Sequence, residues 1–197
     1  MNVKVYLSSK ACIVNTNYLA EKVEKYIEER EKSSMKIRIA REEKLLGTAG
    51  TLIRNQNYLK DSIIVMAHVD NATNIGLQNL LNTYLTRGED ILLTMLTFNT
   101  ENPQECGIVV VDDKGKVISY KEKSEESEGN IANGAVFVFG SELIEWVANN
   151  APNAKDFCAD IVPKLIGRIN TWHTNEVYID IGTSKSLDRA NKVLGGY

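Results

Sequence analysis

Two periods of apolar and polar residues alternate along the chain. Ala11-Cys12-Ile13-Val14-Asn15 is an apolar run of strand length. Residues 18–31 follow with Leu19, Val23, Tyr26 and Ile27 spaced for one face of a helix. Residues 37–40 predict a second strand, and residues 50–57 the start of a second helix. The almost purely apolar segment 62–68, which ends at Val69-Asp70, predicts a strand buried on both faces, as in a parallel sheet covered by helices. Residues 75–87 then read as helix and 91–98 as strand. Alternation over this distance predicts a layered α/β domain.

The pattern changes in the second half. Residues 107–111 and 117–120, joined by Asp112-Asp113-Lys114-Gly115-Lys116, predict a hairpin. A strand at 132–139, helices at 141–149 and 159–167, a strand at 176–181 and a helix from Ser184 complete the expected order. With no internal repeat or linker composition, residues 1–197 are expected to form one domain with a mixed sheet.

Composition narrows the functional classes. The chain is 43% hydrophobic with a net charge of −3, and its basic residues do not cluster, which argues against non-specific nucleic-acid binding. No run is long and apolar enough to predict a membrane span. Cys12, Cys106 and Cys158 are odd in number and widely spaced, which predicts neither a disulfide framework nor a zinc site. A reducing, cytoplasmic setting is the expectation.

Candidate chemistry lies at the ends of the predicted strands. Gly47-Thr48-Ala49-Gly50 separates a strand from a helix, where close backbone approach and unpaired N–H groups can hold a base or a phosphate. Taken alone, such a turn is more often plain punctuation. Asp70 and Asp180 each close a strand, and two carboxylates converging there would hold Mg²⁺ with substrate phosphates, although each could simply cap a turn. Glu122-Lys123 follows the hairpin, either as an acceptor for sugar hydroxyls beside a phosphate-pairing cation or as a surface ion pair. Asn133-Gly134-Ala135 suits close ligand approach or sheet packing. His68 is expected to be structural, since the only other histidine is His173.

Seven segments in order carry a family resemblance: Val14-Asn15-Thr16-Asn17-Tyr18-Leu19, Leu46-Gly47-Thr48-Ala49-Gly50-Thr51-Leu52, His68-Val69-Asp70-Asn71, Cys106-Gly107-Ile108-Val109, Tyr120-Lys121-Glu122-Lys123, Ala132-Asn133-Gly134-Ala135-Val136 and Asp180-Ile181-Gly182-Thr183. From about Ala11 onward the chain resembles the sugar-1-phosphate nucleotidyltransferases, especially the mannose-1-phosphate guanylyltransferase-like branch. The resemblance implies a Rossmann-like, GT-A-like, mostly parallel mixed sheet flanked by helices, with a small antiparallel sugar-binding portion. It implies a reaction of a nucleoside triphosphate with a sugar 1-phosphate that yields a nucleotide sugar and pyrophosphate. By the family pattern, Gly47, Thr48, Ala49 and Gly50 would bind the nucleotide, and Asp70 and Asp180 would hold Mg²⁺. Gly107, Glu122, Lys123 and Asn133 would bind the sugar phosphate, with Asp70, Lys123 and Asp180 as the catalytic set. Such chemistry needs positioning and fixed positive charge, with no covalent nucleophile.

The family's opening strand, its Gly-x-Gly-Thr-Arg loop and the Pro-Lys segment after it have no counterpart in this sequence, so an N-terminally truncated version of the fold is expected. Pairing into a homo-oligomer would cover core left open by a missing strand. Ser124 stands for a frequent Pro and Ala135 for a frequent Gly, and His68 precedes Val69-Asp70 where Asn-Gly-Asp is common. Two alternatives accompany the enzyme reading: a non-catalytic homologue that binds nucleotide sugar in a regulatory role, and a metal-dependent glycosyltransferase using Asp70.

Overall fold

A computed structural model describes residues 11–29, 35–125 and 129–195. The first described elements are β1 (Ala11–Thr16), α1 (Ala20–Glu29) and β2 (Lys36–Arg41), with β1 and β2 paired in parallel. Then come α2 (Gly47–Arg54), the single turn α3 (Gln56–Leu59), β3 (Ile63–Ala67), β4 (Asn71–Thr73), α4 (Gln78–Leu85) and β5 (Leu93–Asn99). The hairpin of β6 (Gly107–Val111) and β7 (Val117–Glu122) leads to β8 (Ile131–Gly140) and α5 (Ser141–Asn150). β9 (Ile169–Thr174), β10 (Tyr178–Asp180) and α6 (Ser184–Leu194) close the chain.

Among the described residues the main sheet has six strands. β8 is its hub, pairing antiparallel with β3, β5 and β6, while β9 joins β5 in parallel. β3, β5, β6 and β9 therefore share one direction, and only β7 and β8 oppose them. The result is a mixed sheet flanked by helices, as expected from the sequence, with four of its six strands running one way. Alternate residues of β8 feed two cores, because strand side chains switch faces at every residue. Phe137 and Phe139 pack with α2 and α5 through Leu52, Leu143 and Val147. Val136 and Val138 pack with α4 through Leu80, Leu81 and Tyr84. Phe157 lies against both phenylalanines, with ring centroids 5.0 and 5.9 Å away.

Several local expectations need correction. The strand buried on both faces is β5, whose Leu93, Met95 and Leu96 are fully enclosed; β3 pairs only with β8 among the described strands and leaves Ile63 52% exposed. The apolar face foreseen on α1 is not buried: Tyr26 is 72% exposed, and Leu19 precedes the helix with φ of +52°. The expected end of that helix beyond Glu29 lies outside the described residues. α2 begins at Gly47, three residues before the expected start. Residues 159–167 form no regular α-helix. A wide turn at Phe157–Ile161 gives way to a tight one at Val162–Leu165, since Pro163 lacks an N–H and clashes with the preceding turn. β4 and β9 were not foreseen. Among the described residues, no helix is long and apolar enough to cross a membrane.

Candidate active site

Asp70 and Asp180 lie at the same end of a two-stranded ladder. β4 and β10 run antiparallel with Asn71 opposite Asp180, and the Ile181 N–H donates to the Asp70 carbonyl at 2.7 Å. Thr73 Oγ1 ties the same ladder to the Val177 carbonyl at 2.7 Å. Both aspartates are exposed, and Asp180 Oδ1 accepts from the Gly182 N–H at 2.7 Å. Tyr178 lies within reach of both charges. Burial first, and then the Asp70 and Asp180 carboxylates, push its phenol well above the usual range. Its hydroxyl donates to the Gly134 carbonyl, which links the acid pair to the middle of β8. A Cβ at position 134 would press on the end of the Leu96 side chain, which would have to shift to admit it.

Neither aspartate forms an ion pair with a described residue. Each exposed carboxylate could offer oxygen ligands to a hard divalent ion that fills its remaining positions from water or phosphate. No group of three or more acidic, histidine or cysteine side chains forms a complete cage among the described residues.

The second cluster grows from the hairpin. Glu122 stands directly opposite Gly107, and the Lys123 N–H donates to the Cys106 carbonyl at 3.1 Å, with Lys123 itself exposed at φ of +44°. The Tyr120 hydroxyl donates to Glu122 Oε2. Asn133 Nδ2 reaches the Tyr120 oxygen and Cys158 Sγ, each at 3.4 Å. The Ala135 N–H holds Asn133 Oδ1 at 2.9 Å, with Ala135 at φ of +51°. Burial, then the Glu122 charge, push the Cys158 thiol up to about 12. Burial also raises Cys106, and Glu105, Glu122 and Asp180 add to the effect while a hydrogen bond with Thr100 opposes it. The Tyr178 bond to Gly134, the neighbour of Asn133, ties the ladder that bears the aspartates to the hairpin cluster.

The Gly47-Thr48-Ala49-Gly50 segment is the first turn of α2, and it is packed against its own chain. Gly47 has φ of +78°, and a Cβ there would drive into the Lys155 carbonyl. The Ala49 N–H donates to that carbonyl at 2.9 Å, and Thr48 Oγ1 accepts from the Phe157 N–H at 2.7 Å. This turn therefore connects with the hairpin cluster through the segment from Lys155 to Cys158, not directly with the aspartates. His68 donates its backbone N–H to Ala135 at 3.3 Å, while its Nε2 is buried with no hydrogen-bond partner among the described residues.

Sequence reasoning missed three side chains. Glu42 is 2% exposed; it accepts from the Leu46 N–H at 3.0 Å and from the Thr51 hydroxyl, so it holds the entry to α2. Nothing in the sequence separates it from its exposed neighbour Glu43. Tyr120 and Tyr178 carried a usable signal, because each sits two residues before a candidate carboxylate and so shares its face of the strand.

The profile of the family described as Nucleotidyl transferase matches residues 4–195. A glucose-1-phosphate adenylyltransferase from Thermotoga neapolitana is 24% identical over 159 residues, covering 75% of this chain and 38% of that protein. A UTP–glucose-1-phosphate uridylyltransferase from Synechocystis is 26% identical over 167 residues, with 78% and 42% covered. The chain thus spans about two fifths of the length of these curated relatives. Among solved structures, HddC from Yersinia pseudotuberculosis superposes with a TM-score of 0.78 at 19% identity, over 94% of this chain and 79% of that one. A glucose-1-phosphate thymidylyltransferase structure from Bacillus anthracis, solved with sucrose, gives 0.72 at 16% identity, over 83% and 67%.

Proposed function

This chain belongs to the nucleotidyl transferase family, and on that premise we propose that it joins a nucleoside triphosphate to a sugar 1-phosphate, releasing pyrophosphate and a nucleotide sugar. In this reaction a sugar-phosphate oxygen forms a bond to the α-phosphorus. The bond to the bridging oxygen breaks, and its electron pair leaves with pyrophosphate. The observation that carries the reading is that Asp70 and Asp180 lie at one end of the β4–β10 ladder, whose Tyr178 bonds to Gly134 beside Asn133.

Asp70 and Asp180 are the residues that would hold Mg²⁺. When bound, the ion offsets negative charge on the phosphate oxygens. Glu122 accepts from sugar hydroxyls, and Lys123 at the exposed hairpin end pairs with the sugar's phosphate. Gly107 and Asn133 line the sugar side. The first turn of α2, residues 47–50, faces the nucleotide base, with Glu42 holding its entry. Because negative charge builds with no covalent intermediate, these groups act by position and charge.

The test is pyrophosphate release by the purified chain with Mg²⁺, a panel of nucleoside triphosphates and several sugar 1-phosphates. Release is expected from the wild type and is expected to fall at least about a hundredfold in Asp70→Asn and Asp180→Asn, each removing one carboxylate ligand. Undiminished release by both variants would refute the acid-pair assignment. No release, with a nucleotide sugar still raising the melting temperature, would point to a binding protein instead. Sugar transfer to an acceptor without pyrophosphate would point to a glycosyltransferase.

A further inference from the structure

We infer that Tyr120 is a positioning residue for Glu122: its hydroxyl aims the carboxylate at the sugar, making the site selective for sugar phosphates that present a hydroxyl to that oriented acceptor. The inference deepens the proposed reaction and rests on it.

The geometry leaves Tyr120 little freedom. It is 7% exposed, and its hydroxyl donates to Glu122 Oε2. Asn133 Nδ2 donates to the phenol oxygen from the other side at 3.4 Å. Asn133 is itself held, with Oδ1 accepting from the Ala135 N–H at 2.9 Å and Nδ2 also reaching the buried Cys158 thiol at 3.4 Å. This chain of bonds fixes which way each group points. Burial, followed by Cys158 and Glu122, keeps the phenol protonated, so Tyr120 is always the donor and Glu122 the acceptor. Gly107 makes the arrangement possible. It stands opposite Glu122, and a Cβ there would run into the Tyr120 hydroxyl and come within 2.6 Å of Glu122 Oε2. Without the phenol, a glutamate side chain would spread over several rotamers and order itself afresh for each sugar it binds.

The experiment is a double-mutant cycle on the nucleotide and sugar phosphate pair that wild type uses best, with Tyr120→Phe, Glu122→Gln and the combination. Tyr120→Phe keeps the ring, and a melting curve checks that each variant folds. The expected result is a rise of about tenfold in KM for the sugar 1-phosphate, with KM for the triphosphate unchanged. In the Glu122→Gln background the same change should add almost nothing, because Tyr120 acts only through the carboxylate. Additive effects, or equal rises in both KM values, would overturn the inference while leaving the proposed reaction standing. If wild type shows no turnover, the proposed reaction fails, and calorimetric binding of the sugar 1-phosphates decides the matter. Weaker binding by Tyr120→Phe than by wild type would support the positioning role; equal binding, or none by either protein, would overturn it.

Discussion

Replacing Gly47 by alanine separates two roles for the glycine-rich turn, structural necessity and ligand contact. Gly47 has φ of +78°, where a side chain costs roughly 1–2 kcal/mol. Its new Cβ would also meet the Lys155 backbone, with the carbonyl carbon at 2.9 Å, and a backbone obstacle cannot swing aside as a side chain can. The turn must then shift, which breaks or lengthens two bonds that seat it, Ala49 N–H to Lys155 and Phe157 N–H to Thr48 Oγ1. At about 0.5–1.5 kcal/mol each, these bring the expected loss to roughly 2–5 kcal/mol. Against a domain stability of roughly 5–15 kcal/mol this is a large fraction. Urea unfolding should show a lower midpoint at unchanged slope, and the melting temperature should fall by roughly 5–15 °C. Gly76→Ala is the control. Gly76 lacks a positive φ, and a Cβ there meets nothing within 4 Å, so a change of less than about 1 kcal/mol is expected. A Gly47→Ala midpoint equal to wild type would refute the close approach of Lys155. It would also return the glycine to a purely ligand-facing role.

Two further outcomes follow from the site. Lys123→Ala should raise KM for the sugar 1-phosphate several-fold while triphosphate binding, followed by calorimetry, stays the same; equal loss of both would contradict a role confined to the sugar's phosphate. Alkaline pH should destabilise the fold. The Cys158 thiol ordinarily titrates near 9 and is pushed up to about 12 in the folded protein, so between these values the unfolded chain releases a proton that the folded one keeps. The contribution is complete below about pH 9 and declines above it by up to about 1.4 kcal/mol per pH unit, or about 2 kcal/mol by pH 10.5. Urea midpoints at the two pH values measure it. Cys158→Ala should remove that share of the decline, and a decline of unchanged size would show that Cys158 is not responsible.

Legibility along the chain followed the range of the forces involved. The hairpin of β6 and β7 was readable because two alternating apolar runs flank a turn whose Asp112 Oδ1 accepts from the Lys114 and Lys116 N–H groups at 2.9 and 2.8 Å. β5, β8, α5 and α6 were readable for the same local reasons of period and capping; α6 opens with Thr183 and Ser186 bonding reciprocally. β9 was not. Ile169-Asn170-Thr171-Trp172-His173-Thr174 is a largely polar run that becomes a strand by lying parallel to β5, with Thr94 Oγ1 bound to Asn170 at 2.6 Å. Glu42 was equally opaque, since a buried glutamate differs from its exposed neighbour only in which groups the fold brings to it.

The sequence by itself determined the α/β class, the order of most elements and the residue types of the candidate site, because these rest on period, turn chemistry and motif order within short windows. Only the tertiary structure decided that Asp70 and Asp180 lie at one end of the β4–β10 ladder and that the Tyr120 hydroxyl meets Glu122. It likewise decided that the glycine-rich turn is closed against Lys155. Those facts depend on strand register and on side chains meeting across the sheet. Such contacts between residues distant in sequence are selected by packing of the whole core, and no local pattern records them.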